Sequence, residues 1–291
     1  MTLDFDASGV ELLVSDFCAI EAGSVGSNEG TFTPRNFLNA ASWTSKETDK
    51  DDTAYKFYGY YPETGTKQST YSSDRGGVLL NVPAAQTGEF GRYQICSSSA
   101  VEMTKAEVTK DKMVRFDFHP VTSLIRLRLT LSEAKTDADI TDVTVKQITL
   151  EAKNSQSNLT GSCFLTFADG TLASTETTVS NKQIVVNLPS PVKITRDKES
   201  NPYIDFVLLS GKEIGEITFD VRQPNNAPLA VAPQQAPADG FQAGVRYFLD
   251  RSTGLRIDED NDDDSSYTDG GNAWDNDIDH DGFYTDAGYA W

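Results

Sequence analysis

The sequence predicts an all-β protein made of antiparallel β-sandwiches in tandem, and three observations predict it. Apolar residues recur with period two in short runs, as in Phe116-Asp-Phe118 and Ile125-Arg-Leu-Arg-Leu-Thr-Leu131, the spacing of one face of a pleated strand. Turn signals such as Asp169-Gly170, Pro189-Ser-Pro191 and Gln223-Pro-Asn-Asn226 separate the runs,. No amphipathic helix of ordinary length appears in the sequence, which argues against a parallel sheet with crossover helices,.

The elements follow in order. Leu3-Asp-Phe5 and Val10 to Phe17 are short apolar alternations parted by Ala7-Ser-Gly9, and Glu21 to Gly30 reads as a polar loop,. Lys46 to Asp52 is a charge run, most simply solvated,. Tyr55-Lys-Phe-Tyr-Gly-Tyr-Tyr-Pro62 places five aromatics in eight positions and reads as a strand stopped by Pro62,. Such a stripe suits a carbohydrate platform or core packing, and packing is the reading preferred. Val78 to Val82 and Tyr93 to Cys96 are further strands, and Ala100 to Glu107 has room for a helical turn or two.

At Phe118 the apolar parity reverses before Ile125, so a bulge, a bend or two separate strands must lie around His119-Pro120,. His119 is read as a structural residue hydrogen-bonded at that bend. Strands are expected at Val143–Val145, Ile148–Leu150, Cys163–Phe167, Ile184–Leu188, Tyr203–Leu209, Ile217–Val221 and Val245–Leu249, with Thr253–Ile257 pairing on the last as a hairpin. Ala227 to Gly240, carrying Pro228, Pro233 and Pro237, reads as an extended loop,. The expected division is a sandwich over 1–113, a second over 114–257, and a tail over 258–291.

Charge is concentrated in that tail. Of a net −19, residues 258–291 carry −12, from eleven Asp and one Glu with no Lys or Arg, leaving −7 elsewhere. This balance argues against nucleic acid and against electrostatic attachment to anionic membranes, both of which need a basic patch. Cys18, Cys96 and Cys163 form neither a disulfide framework nor a metal knuckle and read as buried free thiols,. Met1 to Asp6 has no leader character, and no apolar run is long enough to span a bilayer,. Either a cytoplasmic chain or an exported one lacking its leader fits. Low Cys and Lys and abundant Ser, Thr, Asn and Gly favour export.

Phe116-Asp-Phe-His119 with the Ile/Leu strand after it, Phe57-Tyr-Gly-Tyr-Tyr-Pro62 upstream, Trp43 before that, and Gly244-Val-Arg-Tyr247 near the end resemble, in their order, the fimbrillin-like family of pilins and surface proteins of Bacteroidales,. The resemblance covers Val10 to Ile257. It implies two transthyretin-like antiparallel β-sandwich domains, export through a lipoprotein precursor to the outer membrane or fimbrium, and cleavage after an Arg that removes the first strand. The groove left behind is filled by a strand from the next subunit. Arg35, the first Arg of the chain, is one processing candidate. The other reading, preferred because Asp6 to Val14 resembles the segment just past the processed site, is that cleavage has already occurred.

The tail repeats itself: Tyr267-Thr-Asp-Gly-Gly-Asn-Ala-Trp274 and Tyr284-Thr-Asp-Ala-Gly-Tyr-Ala-Trp291. Phe283, Thr285, Ala287, Tyr289 and Trp291 share one face of an extended strand, the pattern of a donated strand whose alternate side chains fill pockets. A solvated acidic tail is the plainer alternative. Asp277, Asp279 and Asp281 before Gly282 match the first half of a calcium loop, but Gly288 stands where a bidentate Glu belongs, and Asp286 would substitute only with different geometry,. Calcium and a solvated linker both stay open, and no other cofactor is expected.

No phosphate-binding loop, nucleophile elbow or His/Cys constellation is present, so no catalytic residue and no enzymatic activity are expected,. Two functions stay in view. One is a structural fimbrial subunit whose partners are other fimbrial subunits. The other is a tip or surface lipoprotein adhesin that binds a host or bacterial glycan or protein.

Overall fold

The computed structural model describes residues 2–7, 10–11, 14–15, 18–22, 30–34, 50–61, 70–72, 75–88, 90–107, 116–132, 142–255 and 275–277. Its strands begin with β1 (Thr2–Ala7), β2 (Val10–Glu11), β3 (Val14–Ser15), β4 (Cys18–Ala22), β5 (Gly30–Pro34), β6 (Ala54–Tyr58), β7 (Tyr60–Tyr61) and β8 (Thr70–Ser72). There follow β9 (Gly77–Val82), β10 (Ala85–Gln86), β11 (Cys96–Ser98), β12 (Val101–Thr104), β13 (Phe118–Pro120), β14 (Ser123–Leu131), β15 (Asp142–Lys153) and β16 (Gly161–Thr166). The last are β17 (Leu172–Ser174), β18 (Gln183–Thr195), β19 (Tyr203–Leu208), β20 (Glu216–Arg222), β21 (Pro228–Val231), β22 (Gln234–Gln235), β23 (Arg246–Leu255) and β24 (Asp275–Asp277). The described helical elements are single 3-10 turns at Phe90–Arg92 and Lys198–Ser200, so the fold is all-β as the alternation predicts.

The largest sheet runs β10-β18-β15-β20-β21-β23-β14-β19. Its inner face is the main core, where Ile125, Leu127 and Leu129 of β14 meet Ile148, Leu150, Ile184, Val186, Ile204, Phe206, Ile217, Val221 and Leu249. Burying each such side chain contributes on the order of 1.5–3 kcal/mol. β10 carries this sheet around toward its opposite edge. Gln86 pairs through its backbone with Val186 of β18, while its side-chain amide donates to the Val207 carbonyl (2.7 Å) and accepts from the Val207 N–H (3.0 Å) of β19. Asn201 repeats the device nearby, donating to the carbonyls of Leu129 and Thr195.

A smaller core gathers Tyr60, Val78, Leu80, Val82, Ile95, Cys163, Leu165 and Phe167 under the sheet β17-β16-β9-β8. Here β9 pairs with β16 from Gly77↔Thr166 to Val82↔Gly161. This pairing and that of β10 with β18 both join residues across the expected 113/114 division.

Of the alternatives for the parity reversal, two separate strands is the one found, and they lie in different sheets: β13 pairs with β11, and β14 lies between β19 and β23. Several other local expectations are corrected. Ala100 to Glu107 contains strand β12, because Val101 to Thr104 pair with β6; Thr104 and Glu107 close a single turn after it, Glu107 Oε2 accepting from the Thr104 N–H at 2.9 Å. Tyr93 to Cys96 follows a 3-10 turn, and its strand starts only at Cys96. Pro189-Ser-Pro191 lies inside β18. Partners jump from Gln147↔Asn187 to Val145↔Val192, so the exposed prolines bulge where no N–H is needed,. β15 is likewise one strand, not two.

Ala227 to Gly240 supplies β21, whose Pro228 stands at the first position, where a missing N–H is tolerated,. Arg246 to Leu255 is one continuous strand and not a hairpin, since β14 pairs with it from Arg246 to Thr253. His119, expected as a structural residue hydrogen-bonded at a bend, is exposed on β13. Cys96 and Cys163 are free thiols, and loss of water pushes both up to about 12.

Candidate functional site

The feature that stands out is a fork in the largest sheet. β21 pairs antiparallel with the ends of both β20 (Val221, Arg222) and β23 (Thr253 to Leu255), so β20 and β23 run the same way with β21 between their C-terminal ends. Toward their N-terminal ends the filling changes. Pro233 lies just before Gln234–Gln235, whose ladder among the described residues is with Glu216 and Ile217 of β20. The edge of β23 at Arg246–Phe248 is therefore left to another segment. The tail takes it: β24 pairs antiparallel with Arg246↔Asp277, Tyr247↔Asn276 and Phe248↔Asp275.

The edge is held firmly from behind. Tyr247 is buried, its hydroxyl accepts from the Gln242 N–H (2.9 Å) and donates to the Gly240 carbonyl (3.3 Å), and its ring meets Phe241 edge-on at 5.1 Å. Burial raises its phenol pKa. Gly240 is needed there: φ is +74°, and an added Cβ would lie 2.0 Å from the Gly211 carbonyl oxygen,.

On the outer face, alternate residues of β19, β14 and β23 build an ion-pair and aromatic cluster. Arg126 Nε donates to Asp205 (2.8 Å), with both residues buried. Arg128 binds Asp250 through Nε (2.9 Å) and Glu199 through Nη1 (3.0 Å), and Lys198 also pairs with Asp250. Both guanidinium groups lie over Tyr203, at 5.1 and 4.8 Å, and Tyr203 meets Phe248 edge-on at 5.5 Å,. The hydrogen bond to Asp250 raises the Arg128 pKa. Partial burial pushes Asp250 upward, but hydrogen bonds from Arg128 and Lys198 outweigh this and hold it below the ordinary carboxylate range. Arg246, buried at the end of the row, has its guanidinium carbon 5.9 Å from the Phe248 ring centre.

Of the residues singled out in the sequence, Asp277 lies in β24 opposite Arg246. Asp279, Asp281 and Asp286, the donor-strand candidates Phe283, Thr285, Ala287, Tyr289 and Trp291, and Arg35 all lie outside the described residues. Among the described residues no group of three or more His, Cys, Asp or Glu could hold a metal ion, and no helix is long and apolar enough to cross a membrane. Within the aromatic stripe, Phe57 and Tyr60 are buried and Tyr58 stacks on Phe167 at 5.2 Å, so these three pack. Arg246 enters the sequence pattern only within the motif Gly244-Val-Arg-Tyr247. The signal that marks it is the alternation of Arg246, Phe248 and Asp250 against Val245, Tyr247 and Leu249.

No family model and no curated protein matches the chain. Solved structures do resemble it. A proposed cell adhesion protein from Bacteroides uniformis is 15% identical with a TM-score of 0.49, the match covering 87% of this chain and 88% of that one. One from Bacteroides ovatus is 15% identical with a TM-score of 0.45, covering 77% and 70%. A fimbrial protein from Bacteroides vulgatus is 12% identical with a TM-score of 0.46, covering 71% and 75%.

Proposed function

We propose that the chain is a structural fimbrial subunit of the bacterial surface that polymerises by adding its terminal strand to a neighbour's sheet. The observation that carries this is the seat of β24: a tail segment completes the fork on β23, through only three residue pairs. A strand edge offers unpaired N–H and C=O groups that any chain of suitable register satisfies. Each backbone hydrogen bond gained contributes only about 1 kcal/mol net, so a contact of this length is exchangeable. In the polymer, the same edge receives the neighbour's tail, and Phe283, Thr285, Ala287, Tyr289 and Trp291 are the donor positions proposed to lock it. The order of the sequence motifs supports the same reading; the distant structural likenesses are not needed for it. Strand addition requires no catalytic side chain, and none is assigned.

The test is association of the intact chain measured by sedimentation across a concentration series. A ladder of oligomers that grows with concentration and resists mild denaturant is expected. A chain that stays monomeric up to millimolar concentration would sink the proposal.

A further inference from the structure

We infer that the edge of β23 at Arg246–Phe248 is selective for acidic strands, its occupant being the chain's own tail, and that it reads which parity of that strand carries the carboxylates. The inference deepens the assembly reading, on which its biological use rests. Directly opposed residues of an antiparallel pair share a face. Asp277 and Asp275 therefore stand at positions on the face of Arg246 and Phe248, and Asn276 stands on the face of Tyr247. Arg246 is buried, so a carboxylate opposite it meets a cation in a setting where salt screens weakly,. A slip of one residue would put Asn276 opposite Arg246 and bring both Asp positions to the face of Tyr247, which packs against Phe241,. Carboxylates there would have to be desolvated among apolar rings.

A slip of two residues behaves differently. Asp occupies 275, 277, 279 and 281, while Asn276, Ile278 and His280 occupy the alternate positions. Even slips that bring Asp275, Asp279 or Asp281 opposite Arg246 thus restore a carboxylate there, and odd slips are penalised. On this inference the alternating Asp positions restrict the parity of the pairing more strongly than its register.

The experiment uses the full chain at a concentration where it is monomeric, with hydrogen–deuterium exchange read on peptides covering Arg246–Phe248. One variant carries Asp→Asn at 275, 277, 279 and 281. A control carries Asp→Asn at 258, 260, 262 and 264, which removes the same charge, also at alternate positions, elsewhere in the tail. Exchange at the edge should rise about tenfold or more in the first and stay unchanged in the control. Equal behaviour of the two, or no change in the first, overturns the inference. Arg246→Glu combined with Asp→Lys at 275, 277, 279 and 281 should restore protection, and failure to do so while the melting transition is intact also overturns it. Because the readout needs no polymer, failure of assembly and failure of selectivity are separable.

Discussion

Replacing Gln86 with Ala removes both hydrogen bonds to Val207 and leaves a backbone N–H and a carbonyl of β19 without their partner across the seam. Since each buried group stranded in this way costs about 1–3 kcal/mol, Gln86→Ala should destabilise the fold by roughly 2–4 kcal/mol in urea unfolding. Gln86→Glu should be nearly as harmful, because a carboxylate accepts from Val207 N–H but cannot donate to its carbonyl. Asp250 tests the outer-face cluster through pH. Its folded-state pKa is lowered, so its stabilisation is complete above the unfolded value near 4 and is lost as pH falls through the folded value,. Asp250→Asn should therefore lower the melting temperature at pH 7, and the gap from the parent should narrow as pH falls below about 4 and close once pH passes the lowered folded value, where the parent's own carboxylate is protonated,. A gap independent of pH would show that the ion pairs with Arg128 and Lys198 contribute nothing to stability.

At the scale of elements, β9 and β16 meet so closely at Gly77 that an added Cβ would lie 2.0 Å from the Leu165 carbonyl oxygen. Gly77→Ala should push the strands apart and cost about 3 kcal/mol or more, seen as a lower melting temperature together with faster amide exchange across Gly161–Thr166. The strands themselves were legible wherever one face is apolar: β9, β14 and β20 follow from period two alone. What was not legible depends on partners distant in sequence. Pro189-Ser-Pro191 carries the local signal of a turn, yet stays within β18 because it bulges out of the ladder with β15, which resumes on either side. Pro228 argues against a central strand, yet β21 is central because only two residues of β20 need its ladder. Arg126 and Arg128 break an apolar run without disclosing that Asp205 and Asp250 lie on neighbouring strands 79 and 122 residues away. The acceptor edge was hidden for the same reason, since an edge exists only by what fails to pair beside it.

For the molecule as a whole, charge and strand addition pull in opposite directions. The tail holds −12 of the net −19, so two chains repel at long range, while the contact itself opposes Asp277 to a buried Arg246. Screening separates these effects: at about 0.15 M salt the Debye length is ~8 Å, which removes most repulsion between distant tails but weakens a partly buried pair much less. Association of the intact chain should therefore rise between low and physiological ionic strength. Deleting residues 275–291 tests whether the tail is the adhesive element or only a repulsive one. Among the described residues the main core reaches no further than Leu249 and the smaller core no further than Leu209, so the body should stay folded, with its melting temperature lowered by at most a few degrees,. If the tail joins the chains, oligomers vanish in sedimentation at every ionic strength. If it merely repels them, the shortened chain associates more strongly than the parent, and the fork on β23 loses its assigned role.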